Sequence, residues 1–79
     1  MNKNENFAPA QNNQSFGEFI QRRRIQLGLT QGEVASQAGT TQGYLSKVEM
    51  GIREPTLTVA LRLCDVLGLD INDFAKQYI

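Results

Sequence analysis

Residues 30–51 read TQGEVASQAGTTQGYLSKVEMG, two short helical patterns separated by a break. Thr30 followed by Glu33 is a capping box, in which the hydroxyl and the carboxylate satisfy otherwise unpaired backbone N–H groups. Val34, Ala35 and Ala38 supply a narrow apolar face, and Gly39 stops the helix after about two turns. Thr41 caps the second pattern, Tyr44, Leu45 and Val48 form its inward face, and Gly51 closes it. Helices this short do not persist alone and hold only when crossed and packed on a third element. A helix-turn-helix meets that demand. Ala35 falls where the two helices cross and lets them approach. Gly39 falls in the turn, where a positive φ is needed that glycine adopts without steric cost.

The flanking sequence completes an all-α domain of five short helices. Ser15 and Glu18 form another capping box. Phe16, Phe19, Ile20 and Leu27, with Ile25 beside them, make one helical stripe that Gly28 ends. After a loop over 52–55, Thr56 caps a fourth helix with Leu57, Ala60, Leu61, Cys64 and Leu67 expected inside and Gly68 at its end. Asp70 caps a fifth, with Ile71, Phe74, Ala75 and Tyr78 apolar. No strand alternation appears. Residues 1–14 carry five Asn, two Gln and Pro9 with no apolar period, so a flexible N-terminal tail is expected, followed by one domain over 15–79. With Lys3 as its only basic residue, the tail lacks the arginines of minor-groove arms.

The chain has 79 residues, enough for one small domain. Its formal net charge is zero, but unevenly laid out. Residues 15–53 hold five basic side chains (Arg22, Arg23, Arg24, Lys47 and Arg53) against three acidic ones (Glu18, Glu33 and Glu49). Residues 54–79 hold two basic against four acidic. The basic part therefore contains the helix-turn-helix. The single cysteine, Cys64, cannot form an internal disulfide and is expected to pack in the core, and the chain has no histidine. No signal peptide or membrane-length apolar run is visible, which points to the cytoplasm, at the nucleoid. No metal, cofactor or small-molecule ligand is expected. Without a nucleophile–base pair the chain does not read as an enzyme.

The outward face of the second short helix, over 41–50, is polar: Gln42, Gly43, Ser46 and Lys47, with Met50. A glutamine amide bonds an adenine edge through two groups, lysine favours guanine or phosphate, and serine bonds either. The N-terminal end of such a helix enters the major groove of double-stranded DNA. Gln42 and Lys47 are thus the leading base-reading candidates, with Ser46 and Gly43 next. Gln31, first in its helix, and Arg53, in the following loop, are placed for phosphate, and Arg22 is a further basic candidate.

The run Arg24-Ile25-Gln26-Leu27-Gly28-Leu29-Thr30-Gln31, then Glu33-Val34-Ala35, Ala38-Gly39-Thr40-Thr41-Gln42 and Tyr44-Leu45-Ser46-Lys47-Val48-Glu49, with Gly51, Arg53 and Pro55, strongly resembles the XRE family, the helix-turn-helix domains of lambdoid phage repressors and Cro. The resemblance covers about residues 15–75. It implies a five-helix, lambda-repressor-like DNA-binding domain acting in transcriptional control, usually as a homodimer on a palindromic operator. By position, Gln31 resembles the family's phosphate-binding glutamine, joined on the phosphate side by Thr41 and Tyr44. Gln42, Gly43 and Lys47 occupy base-reading positions, and Arg24 and Glu49 resemble a buried ion pair tying the first helix to the third. The chain departs from the pattern at Gly43, where a larger polar residue is usual, and at Thr40, where an apolar one is.

A sequence-specific transcriptional regulator, a repressor by preference, is the leading expectation. Its dimer surface would be Leu69, Ile71, Phe74, Tyr78 and Ile79. The alternative is an antitoxin-type interaction module that also represses its own operon.

Overall fold

The computed structural model describes residues 14–78; the expectations placed on residues 1–13 and on Ile79 lie outside them. The order is α1 (Phe16–Gln26), α2 (Gln31–Gln37), α3 (Gln42–Glu49), α4 (Leu57–Leu67) and α5 (Ile71–Ala75), and α5 runs into a 3-10 turn over Lys76–Tyr78. No strand occurs among the described residues.

Every helix begins as its cap dictates. Ser15 and Glu18 close a reciprocal capping box, as do Thr30 and Glu33. Thr41 accepts from the Tyr44 N–H, Thr56 from that of Val59, and Asp70 from that of Asn72. The ends of α1 to α4 are also alike. Gly28, Gly39, Gly51 and Gly68 all take φ between 67° and 77°. In each case the next residue donates to a carbonyl five back: Leu29 to Arg24, Thr40 to Ala35, Ile52 to Lys47 and Leu69 to Cys64. This left-handed closure satisfies helix carbonyls that would otherwise lack partners, and glycine accepts it at no steric cost.

The core centres on Ile20, Val34, Leu45, Val48, Leu63 and Leu67, all fully buried. Val34 and Ala35 of α2 meet Leu45 and Val48 of α3 in one cluster with α1 and α4. Gly17 lets α1 press directly on α3: a Cβ there would collide with the Val48 carbonyl oxygen. Phe74 closes the far end, 5.4 Å from Phe16 and 5.5 Å from Phe19 between ring centroids, with Tyr78 against it at 5.4 Å.

Two apolar assignments require correction. Leu57 and Leu61, expected inside, are 69% and 46% exposed, while Leu63 is fully buried. Eight of the eleven residues of α4 are apolar, more than one helix face can bury, and the stripe that packs, Ala60, Leu63, Cys64 and Leu67, lies opposite the polar Thr58, Arg62 and Asp65. Ile25 and Leu27 are likewise exposed. The inward stripe of α1 continues after Ile20 through Arg23 and Arg24. The Arg23 Nε donates to the Leu67 carbonyl at 3.0 Å, placing a cation on the C-terminal end of α4. Cys64 is buried and free, and burial first, with the negative charge of Asp70 second, pushes its thiol pKa up. It remains a protonated packing residue.

Candidate nucleic-acid interface

The crossing of α2 and α3 has the expected parts. Ala35 is buried at the contact, and Gly39 takes φ 75° in the turn. The same crossing brings the first residues of the two helices together, so that Gln42 Nε2 donates to Gln31 Oε1 at 3.4 Å. Gln31 in turn donates through its own Nε2 to Glu49 Oε1 at 2.9 Å.

Glu49 is the only charged side chain among the described residues that is buried. Its carboxylate takes a forked pair of bonds from Arg24, Nε to Oε2 at 2.7 Å and Nη2 to Oε1 at 3.0 Å. Arg24 adds a bond from Nη1 to the Leu29 carbonyl at 2.8 Å. The hydrogen bond to Glu49 is the main cause that raises the Arg24 pKa above its ordinary value, so the guanidinium stays charged. Arg24 and Glu49 thus form the tie between α1 and α3, and that tie continues through Gln31 to Gln42 at the surface. A forked arginine–carboxylate pair has one geometry, which gives the chain of contacts a fixed origin.

Beyond Gln42, the outer face of α3 carries Gly43 and Lys47, both exposed, and Ser46, half-buried. Met50 and Ile52 extend this face, 63% and 69% exposed. The Thr41 hydroxyl oxygen accepts the Tyr44 N–H as the cap of α3. The Arg53 guanidinium lies 5.6 Å from the centre of the Tyr44 ring, within reach of cation–π attraction, and the Arg53 N–H donates to the Lys47 carbonyl at 3.2 Å. Arg53 is therefore held beside the end of α3. Arg22 is exposed on α1, whereas Arg23 turns to the end of α4.

The residues expected at a dimer surface divide. Phe74 lies in the aromatic cluster with Phe16 and Phe19, and Leu69 and Ile71 are half-buried against the core. Tyr78 is 57% exposed. Its hydroxyl donates to the Gln14 carbonyl at 3.0 Å, which the Gln77 amide also reaches at 3.0 Å while accepting the Gln14 N–H at 2.8 Å. Gln14, grouped with the tail on composition, is thus clasped to the 3-10 turn.

Among the described residues, no cluster of metal-binding side chains occurs and no helix is long and apolar enough to cross a membrane. Two of the contacts that sequence reasoning missed are Gln31 to Glu49 and Arg23 to Leu67. Both join residues brought together only by helix crossing, so no local pattern signals them.

Comparison with known proteins agrees with this geometry. A family model described as helix-turn-helix matches residues 20–74. An uncharacterized HTH-type transcriptional regulator, y4dJ of Sinorhizobium fredii, is 42% identical over 53 residues, covering 67% of this chain and 69% of its own length. The HTH-type transcriptional regulator RamB of Mycobacterium tuberculosis is 31% identical over 61 residues; the match covers 77% of this chain but 13% of RamB. Among solved structures, the clp gene regulator ClgR of Corynebacterium glutamicum superposes with a TM-score of 0.73 at 27% identity, covering 78% of this chain and 66% of that one.

Proposed function

The chain belongs to the XRE-type helix-turn-helix family of DNA-binding transcriptional regulators, and on that premise we propose that it is a repressor that binds a palindromic operator as a homodimer. The N-terminal half of α3 enters the major groove, where Gln42, Gly43, Ser46 and Lys47 meet base edges. Gln31, Thr41, Tyr44, Arg53 and Arg22 lie against phosphates and fix the register. The observation that carries this reading is the exposed Gln42 amide, held from behind by Gln31, which is itself fixed on Glu49. With Oε1 and one Nε2 hydrogen free, Gln42 keeps the donor and acceptor that an adenine edge requires.

A dimer follows from the small footprint of a single recognition helix. The surface we propose keeps Leu69, Ile71 and Tyr78 from the expected set and adds Leu57 and Leu61. Leu61, Leu69 and Ile71 line one shallow groove, and Leu57 stands open on the same helix as Leu61. The zero net charge fits such an arrangement, because weak non-specific attraction leaves more of the affinity to paired contacts.

Selection of binding sites from random duplex DNA at two salt concentrations tests the proposal. The expected product is an inverted repeat with half-site centres about 10 base pairs apart. Lys47→Ala should lower affinity and relax preference at one position of each half-site. Arg53→Ala should weaken binding to all sequences and reduce the salt slope by about one. Enrichment of single, unpaired half-sites overturns the dimer, and an unchanged preference profile for Lys47→Ala overturns its base-reading role.

A further inference from the structure

The chain has seven glycines, and the fold explains five of them. Gly17 admits the Val48 backbone, and Gly28, Gly39, Gly51 and Gly68 take positive φ. Gly32 and Gly43 do neither. Both sit in ordinary helical conformation, each second in its helix after Thr-Gln, so that α2 opens Thr30-Gln31-Gly32 and α3 opens Thr41-Gln42-Gly43. A Cβ at Gly32 would meet only the Thr30 Oγ1, at an ordinary 3.9 Å, and a Cβ at Gly43 would meet nothing within 4 Å. Alanine would fit at both positions and is the better helix former. Nothing inside the molecule therefore requires glycine at position 43.

What lies outside does give it a use. Gly43 is exposed on the outer face of α3, between Gln42 and the Ser46 and Lys47 side chains one turn on. The missing side chain leaves a shallow, open notch over the Cα hydrogens, apolar, with no non-adjacent side chain within 4 Å of where a Cβ would sit, on a face whose neighbouring residues are polar. On the base edges of the major groove the one apolar group is the C5 methyl of a pyrimidine. We propose that the notch at Gly43 receives a pyrimidine C5 methyl group, so that a residue without a side chain reads one base of each half-site by shape. This inference rests on the major-groove reading above and adds the ligand group that the gap in that reading accepts. The same chemistry is offered by thymine and by 5-methylcytosine.

The test uses the full chain and the operator obtained by selection. Each thymine of a half-site is replaced in turn by deoxyuridine, which removes only the methyl, and Kd is measured for the unaltered protein and for Gly43→Ala. One thymine per half-site should lose about fourfold in affinity on demethylation, the value of one methyl withdrawn from water. Gly43→Ala should bind the thymine operator more weakly and no longer distinguish thymine from uracil there. Its thermal midpoint should stand about 2–4 °C above that of the unaltered protein, which separates a lost contact from a damaged fold. Cytosine against 5-methylcytosine at the same position should reproduce the methyl preference, since both pairs differ only in the C5 methyl; its absence there would overturn the proposal. So would a half-site without a uracil-sensitive thymine, or an undiminished thymine-to-uracil ratio for Gly43→Ala. If selection enriches no half-site at all, the major-groove reading itself fails. An enriched half-site with no methyl dependence sinks the notch alone.

Discussion

The edge where α1 meets α3 and the end where α5 meets α1 are built from different materials. At the first, Arg24, Glu49 and Gln31 are joined by hydrogen bonds of 2.7–3.0 Å, and Gly17 brings two backbones into contact. At the second, Phe74 rests between Phe16, Phe19 and Tyr78 with ring centroids 5.4–5.5 Å apart. A forked ion pair accepts one arrangement, whereas tilted and edge-to-face rings tolerate a range of interplanar angles, here 45–82°. Position is thus held tightly on the side that carries the recognition helix and more loosely on the side that closes the core.

The contrast can be broken in three places. Glu49→Ala should have the largest effect, about 3–5 kcal/mol by urea denaturation, because Arg24 is left without its counter-charge in a largely buried site. Phe74→Leu should be milder, about 1–2 kcal/mol, since the ring is only half-buried and the replacement is apolar. If Phe74→Leu proves the more damaging, the division between a directional and a tolerant end is wrong. Lys76→Ala should be the smallest, under about 0.5 kcal/mol in the same assay, because its 3.5 Å pair with Asp73 is exposed on both sides. A larger loss there would show that the 3-10 turn is held by more than its clasp on Gln14.

Helix starts and stops were legible in the sequence because their causes lie within a few residues. Ser15, Thr30, Thr41, Thr56 and Asp70 all cap where their side chains suggest, and Gly28, Gly39, Gly51 and Gly68 all close with positive φ. The buried side of α4 was only partly legible. Thr58, Arg62 and Asp65 share one face and so mark the opposite side, with Leu63, as the inner one, but how far the buried stripe extends towards Leu57 and Leu61 is set by the neighbouring helices. Arg23 was opaque, because its partner is a backbone carbonyl 44 residues away. At the candidate interface the residue types and their outward placement could be read from helical spacing. The path from Glu49 through Gln31 to Gln42 could not, since it exists only once α2 and α3 have crossed.

That path has a consequence for the thermodynamics of association. A free glutamine side chain samples many rotamers, and immobilising one on binding opposes the complex by about 0.5–1.5 kcal/mol. The Gln31 amide is already restrained at both ends, by Glu49 behind it and Gln42 beside it. Much of that rotational freedom is lost when the chain folds. A duplex that meets Gln31 and Gln42 therefore has less entropy left to remove, and the ordering of this surface is charged to folding stability instead of to affinity.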